Sequence, residues 1–376
     1  MEPRRYAGNS HWYHETQASS RVEQAPPLYP EAAEVEDRFL LGLQQNASEL
    51  TPLFKRFAPT LQAGQRLSLL LLPPSVTTTQ TLTLYDRLSS ALTVAQITGM
   101  QRLCNHYAAR LNPLPGPDSS RESNNRLTQM TQFARQLASQ PAVIDAAALQ
   151  RLDEVGLTTP DIISLAQIIG FVSYQARVTA GIQALMGLPV RWLPGLNDMT
   201  DAEAQRFSSP EQWRARLPLL ERRYASERQL IALENAPKSG ALAEMIWLLA
   251  WDAATLDAWR GLQATLTPAA SGEKLAQAVA ARINGSKPCL DRYDGPWRSE
   301  LLQSVDAALA ASQRQPTQQA IIAFAAQLTR APERLSAAHV QPLLEQGLTP
   351  VRLFSLIQYT ALAGWNNRLV QTLFGH

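Results

Sequence analysis

Cysteine is nearly missing from this chain: Cys104 and Cys289 are the only two in 376 residues. Two cysteines cannot make a disulfide framework, and a reducing, cytoplasmic setting is the expectation that follows. Histidine is scarce as well, with five. The one close pair, His11 and His14, has no third ligand at metal-binding spacing, so both read as surface residues and neither a metal nor a cofactor is expected. An excess of one charge is also lacking. Against 34 Lys and Arg stand 32 Asp and Glu, for a net charge of +2 and no block of like charge. Steering toward nucleic acid or an acidic membrane is therefore not indicated. Long hydrophobic runs are absent too. The most apolar stretch, Leu67 to Leu72, ends at Pro73-Pro74 and is far too short to span a bilayer. The start, Met1 to Arg5 followed by Gly8, Asn9, His11 and Trp12, carries no apolar stretch behind its arginines and does not read as a secretory signal.

What the chain does have is a pattern stated twice. Phe133-Ala134-Arg135-Gln136-Leu137 with Pro141 returns as Phe324-Ala325-Ala326-Gln327-Leu328 with Pro332. Gly156-Leu157-Thr158 returns as Gly347-Leu348-Thr349. Ser164, Gln167, Tyr174 and Arg177 are followed, each 191 positions later, by Ser355, Gln358, Trp365 and Arg368. A period of that length marks a whole repeated domain, not a solenoid unit. The local pattern is helical, with apolar residues at spacings of three and four in Leu84, Leu88, Leu92 and again in Leu353, Leu356. Only the stretch from Leu67 to Val76 reads as a short strand. The fold class expected is all-α. The chain divides into an N-terminal arm over 1–34, a first repeat over 35–190, a connector over 191–235 and a second repeat over 236–376. The connector holds Trp192, Pro194, Gly195, Pro210, Trp213 and Glu221-Arg222-Arg223 and is expected to pack across both halves.

Upstream of these matches, Gly99-Met100-Gln101-Arg102-Leu103-Cys104-Asn105-His106-Tyr107 lies over Gly285-Ser286-Lys287-Pro288-Cys289-Leu290-Asp291-Arg292-Tyr293, now 186 positions apart. At these residues the chain resembles the alkylhydroperoxidase D and carboxymuconolactone decarboxylase superfamily, whose all-α domain carries a Gly-Cys-x-x-Cys-x-x-x-His motif at a helix start. The Gly-Leu-Thr turns, and Trp365-Asn366-Asn367-Arg368 on the following helix, are similar to the family as well. The resemblance covers both repeats, roughly four fifths of the chain. It implies two tandem alkylhydroperoxidase D-like helical domains related by internal pseudo-symmetry, and a homo-oligomer by analogy with the family's rings. In the family, two thiols one helical turn apart form a disulfide during turnover, a helix N-terminus favours the thiolate, and a histidine one turn further moves protons as peroxides are reduced.

Here that motif is eroded. The three positions read Ser286, Cys289 and Tyr293 in the second repeat, and Met100, Leu103 and Tyr107 in the first. The glutamate the family places some three turns earlier is replaced by Leu88 and Lys274. Dithiol turnover within one motif is therefore impossible. Cys289 keeps its place, with Ser286 as expected N-cap, Pro288 in the first turn, and Lys287 and Arg292 nearby. That setting is expected to ease ionisation of the thiol, with Asp291 opposing. Tyr293 can donate a hydrogen bond but is a poor proton shuttle near neutral pH. Cys104 sits one residue past the motif position, about 100° around the helix from it, and His106 does not face it. We read Cys104 as buried and inert.

Arg177 and Arg368 recur on long apolar helices, where a buried guanidinium needs a carboxylate or several carbonyls. Each is a scaffold anchor or an anion anchor, and scaffold is favoured because both copies keep it while both lose the thiol pair. Three functions stay open on the sequence. The first is a thiol-dependent, peroxidase-like antioxidant oxidoreductase with one cysteine, Cys289, supported by Tyr293 and Ser286; its partners would be a small-molecule peroxide and an external thiol reductant. The second is a pseudoenzyme, a scaffold or small-molecule binding protein that kept the fold and lost the reaction. The third, acid–base chemistry as in the decarboxylase branch, has only Tyr107, Tyr293 and the arginines to draw on.

Overall fold

The computed structural model describes residues 35–76, 81–190, 199–208, 213–234, 241–266 and 268–375. The arm at 1–34 with His11 and His14, and the connector residues Trp192, Pro194, Gly195 and Pro210, lie outside the described residues.

Helix dominates. The first half runs through α1 (Ala58–Leu71), α2 (Leu84–Ile97), α3 (Gln101–Leu111), α4 (Arg121–Ser139), α5 (Ala146–Glu154) and α6 (Thr159–Leu185). After α7 (Glu227–Glu234) and α8 (Ala241–Leu249) comes α9 (Ala253–Ala264), then α10 (Ser271–Asn284), α11 (Lys287–Leu290), α12 (Arg298–Gln303) and α13 (Val305–Ala311). The chain ends through α14 (Pro316–Arg330), α15 (Ala337–Glu345) and α16 (Pro350–Leu373). Among the described residues, strand is confined to β1 (Arg214–Ala215) and β2 (Phe374–Gly375), paired antiparallel with Arg214 opposite Gly375. The all-α expectation holds. The short strand expected over Leu67 to Val76 does not form. Its first residues are the last turn of α1, where Leu67 and Leu71 are buried at helical spacing. A run of leucines is equally compatible with either structure, and the helix wins because it continues an amphipathic segment begun at Ala58.

Local chemistry explains where the long helices begin. Thr83 accepts from the Asp86 N–H at 3.1 Å while the Asp86 carboxylate accepts from the Thr83 N–H at 3.1 Å, a reciprocal capping box that opens α2. Thr158 and Asp161 repeat the arrangement at α6, with Pro160 in the first turn. At α16, Thr349 caps by accepting from the Arg352 N–H.

Helices α6 and α16 pack against each other at the centre and are buried along most of their length. Around them, α2 lies on α3, α4 and α6, and α10 lies on α11, α14 and α16. Helix α1 packs on α9, across which the Thr265 and Thr60 hydroxyls hydrogen-bond at 3.0 Å. The central pair is polar as well as apolar. Trp365 Nε1 donates to Gln167 Oε1 at 3.0 Å, and the Tyr174 hydroxyl donates to Gln358 Oε1 at 2.6 Å. Phe171 meets the Trp365 ring edge-on at 5.7 Å. The connector touches both halves. Asp201 pairs with Arg330 and the Arg216 guanidinium donates to the Gln371 carbonyl, while Ser226, Arg228 and Gln229 sit beside Thr81, Arg87 and Asp161.

No single described helix is long and apolar enough to cross a membrane; α5 and α6 pass that test only as a pair bent by 118°.

Close approach at Gly170 sets how near the central helices can lie. A Cβ there would fall 2.0 Å from Trp365 Cδ1, whereas a Cβ on Gly261 in α9 would meet nothing within 4 Å. Gly170→Val is expected to lower stability in urea unfolding by about 2–3 kcal/mol through overpacking. Gly261→Ala is expected to raise it by about 0.5–1 kcal/mol, by restricting the unfolded chain and favouring helix. Equal effects at the two sites would show that the central contact is looser than described.

Candidate functional site

The structure places Ser286, Cys289 and Tyr293 in one short stretch, but not in the arrangement the motif requires. Helix α11 is a single turn, Lys287–Leu290, in contrast to the eleven-residue α3 over the matched stretch. Beyond it the chain turns through Asp291–Pro296 before α12, and Gly295-Pro296 disfavours any helical continuation. One turn of helix aligns few peptide dipoles, so little positive potential reaches the Cys289 sulfur.

Ser286 stands at the N-cap position without acting as a cap. Its side chain makes no capping hydrogen bond, and its hydroxyl is fully buried without a partner of standard hydrogen-bond geometry. It does lie near enough to Cys289 to favour the thiolate, as does Arg292. Burial outweighs both: the Cys289 thiol is pushed up from its ordinary value. Its residue surface is half-buried. The expectation of an easily ionised Cys289 is thus overturned by desolvation. Lys287 contributes nothing to the thiol, because it is held at 2.5 Å by Asp291, which also takes Arg298 at 2.9 Å.

Tyr293 is buried, with its hydroxyl against Gly295. Burial raises its pKa further above neutrality, which removes it as a proton shuttle. In the first half the same positions are filled with hydrocarbon. Met100 and Leu103 are buried, and the Tyr107 hydroxyl donates to Gln175 Oε1 at 2.5 Å, its pKa pushed up by burial. Gln175 in turn donates to the Arg38 and Phe39 carbonyls at 2.9 and 2.8 Å, so chain leading into the first half seals that position. Around Gly285 the second half is closed similarly, by Ala142, Ala202 and Arg206. Cys104 is half-buried, and its thiol is pushed up to about 12 by burial. His106 is fully buried, edge-on to Tyr107 at 5.1 Å. Leu88 is buried and Lys274 exposed at the family's glutamate position. The carboxylate next to it, Glu273, is 3% exposed in its side chain and pairs with Arg352 at 3.1 Å. Among the described residues no group of three or more His, Cys, Asp or Glu is placed to hold a metal ion.

A site the sequence did not single out lies elsewhere. An open cleft of about 380 Å³ is lined by Thr81 and Leu82 before α2, Arg87 on α2, Pro160, Asp161 and Ser164 on α6, Ser226 to Gln229 at α7, and Trp251 to Ala254 at α9. Arg87 is buried, donating to the Leu71 and Leu82 carbonyls at 3.0 and 3.3 Å. Burial lowers its pKa, opposed by the charges of Asp252, Asp161 and Asp86. Asp161 and Asp252 are both committed to helix starts. Asp161 bonds Thr158 and Thr81, and Asp252 accepts from the Thr255 N–H and hydroxyl at 3.1 and 2.6 Å. Arg228 is exposed at the cleft, with no ion pair among the described residues. The only sequence signal was the Thr-x-x-Asp and Asp-x-x-Thr spacing, which marks helix starts and does not by itself mark a pocket.

No protein-family model matches the chain, and no curated protein matches it either.

Alkylation reports the thiols directly. With iodoacetamide in the folded protein, the rate at Cys289 is expected to climb through a midpoint above that of a free cysteine, because the raised pKa keeps the thiol protonated longer as pH rises. Cys104 is expected to need strongly alkaline conditions, near its value of about 12. A Cys289 midpoint at or below neutral pH would contradict the burial described.

Proposed function

We propose that the chain is two copies of one alkylhydroperoxidase D-like helical domain, about 35–190 and 236–376, joined by the 191–235 connector. In this reading the copies dock across α6 and α16 as an intramolecular pseudo-dimer. The protein acts as a scaffold or small-molecule binding protein that kept the fold and lost peroxide turnover. The protonation of Cys289 carries this reading. Peroxide reduction starts when a thiolate attacks the O–O bond, giving a sulfenic acid and an alcohol, and two equivalents of external thiol then restore the cysteine as a disulfide and water leave. At Cys289 burial favours the thiol over the thiolate, and the pKa of Tyr293 is pushed upward by its own burial. The same upward shifts at Tyr107 and Tyr293 argue against the decarboxylase-like alternative, which needs a base.

The duplication is supported by order and by reciprocity. Helices α2, α3, α4, α5 and α6 recur as α10, α11, α14, α15 and α16, and the short 3-10 turns Pro141–Val143 and Pro332–Arg334 follow α4 and α14. Gln167 takes Trp365 while Gln358 takes Tyr174, each pair exchanging its copy of the repeat.

For binding, the cleft at Arg87, Asp161, Asp252 and Arg228 is the favoured place, and a small polar molecule with an anionic group facing Arg228 fits its open cation. By the family resemblance the chain also associates with copies of itself.

Peroxidase activity is the decisive measurement. With cumene hydroperoxide and dithiothreitol, wild type and Cys289→Ser are expected to consume peroxide equally slowly. A wild-type rate clearly above the variant's, together with a dimedone adduct on Cys289, would restore the oxidoreductase reading.

A further inference from the structure

The cleft beside α7 and α9 carries one accessible charge of each sign. Arg228 on α7 is exposed there, and Asp252 at the start of α9 is half-buried. Among the described residues neither joins an ion pair. The other two charged groups of the wall are turned inward. Arg87 is 7% exposed and spends Nε and Nη1 on the Leu82 and Leu71 carbonyls. Asp161 is 5% exposed, and its two oxygens accept from the Thr81 and Thr158 hydroxyls. Both Asp161 and Asp252 act on the Arg87 charge, yet Asp252 is the carboxylate that solvent reaches.

The chain brings Arg228 and Asp252 to neighbouring ground but keeps them from pairing. Gln229, next to Arg228, donates to the carbonyl of Trp251, next to Asp252, at 3.4 Å. That bond ties the start of α7 to the start of α9. The Asp252 carboxylate is turned toward its own helix, taking the Thr255 N–H at 3.1 Å and the Thr255 hydroxyl at 2.6 Å. Capping holds it there and stops it from swinging out to Arg228. A carboxylate still has lone pairs to spare after both bonds, and a guanidinium without a partner has all its N–H donors. Trp251 lines the same cleft. Its indole N–H is taken by the Pro218 carbonyl at 3.3 Å, so the surface it has left to offer is hydrocarbon.

We infer that the cleft takes a small amino-carboxylate zwitterion, its carboxylate on Arg228, its ammonium on Asp252 and its short carbon chain against Trp251. This rests on the reading of the cleft as a place for an anionic group and adds a cationic end to the ligand. A plain anion satisfies Arg228 but meets the Asp252 charge with one of like sign, and a plain amine does the reverse at Arg228. Only a molecule bearing both charges is complementary to both groups. The volume of about 380 Å³ lies toward the small end of ligand sites, which suits such a molecule.

The test is calorimetric titration of the full chain with glycine, β-alanine, γ-aminobutyrate and ε-aminocaproate, which hold the two charges progressively further apart. Butyrate and butylamine serve as probes with a single charge. One member of the zwitterion series is expected to bind about tenfold more tightly than either single-charge probe, as a second charged hydrogen bond would supply. Arg228→Gln alters an exposed side chain, and Asp252→Asn keeps a good helix cap while removing the charge, so both are expected to fold. Each is expected to erase the preference for the zwitterion. Butyrate binding as tightly as every zwitterion, or a preference that Asp252→Asn leaves intact, would overturn the inference. In that event butyrate binding that Arg228→Gln abolishes would still uphold the cleft as an anion site. Failure of every probe, butyrate included, would remove the zwitterion and the anion site together.

Discussion

The crossing of α6 and α16 is the constraint on which the rest of the molecule hangs. Both helices are buried along most of their length, against each other and against α2 and α10. Within that contact the polar groups are not incidental. Gln167 and Gln358 accept from Trp365 and Tyr174, while Arg177 and Arg368 reach the last turns of α14 and α4 to hold the Thr329 and Ala138 carbonyls. Those carbonyls lie at helix C-termini, where four backbone acceptors go without an intrahelical partner. Each arginine therefore caps a helix of the opposite half, and the two halves hold one another's helix ends in place.

That arrangement limits what the motif positions can do. In the first half the space a thiol pair would need is filled by Met100 and Leu103 and sealed by the Arg38–Phe39 chain bonded to Gln175. In the second, Ala142 from the opposite half and Ala202 and Arg206 from the connector crowd Gly285, while the chain leaves helical geometry after Leu290. Docking and site closure are thus one packing event. At Cys289 burial outweighs the help that Ser286 and Arg292 give the thiolate.

Much of the fold was legible in the residues because helices announce themselves locally. Thr83 with Asp86 and Thr158 with Asp161 mark starts by spacing alone, and the stripe from Leu84 faces the core as its period requires. Recurrence at 191 positions was readable too, and the residues it singled out, Gln167, Tyr174, Arg177 and their partners, are those that bond across the centre. The local reading failed at two places. The Leu67 to Val76 stretch has no period that separates strand from helix. The ionisation of Cys289 depends on how many distant atoms exclude water, which no nearby residue encodes. Lys287 illustrates the limit: close to the thiol in sequence, it is bound by Asp291.

The cleft at Arg87 was invisible for a further reason. It is assembled from the starts of α2, α6, α7 and α9, separated by up to about half the chain, and its acidic residues each have a sufficient local explanation as caps. Capping holds the Asp161 and Asp252 side chains in place at the cleft wall. A polar surface whose groups are immobilised by the scaffold loses little entropy when a ligand binds. In the second half the equivalent ground is occupied by the Glu273–Arg352 pair, in which a buried carboxylate is already matched by a guanidinium. In that pair the Glu273 carboxylate is 3% exposed while the Arg352 side chain stays 50% open to solvent. The binding role proposed for the cleft rests on the other arrangement, in which Arg228 is exposed beside Asp161 and Asp252.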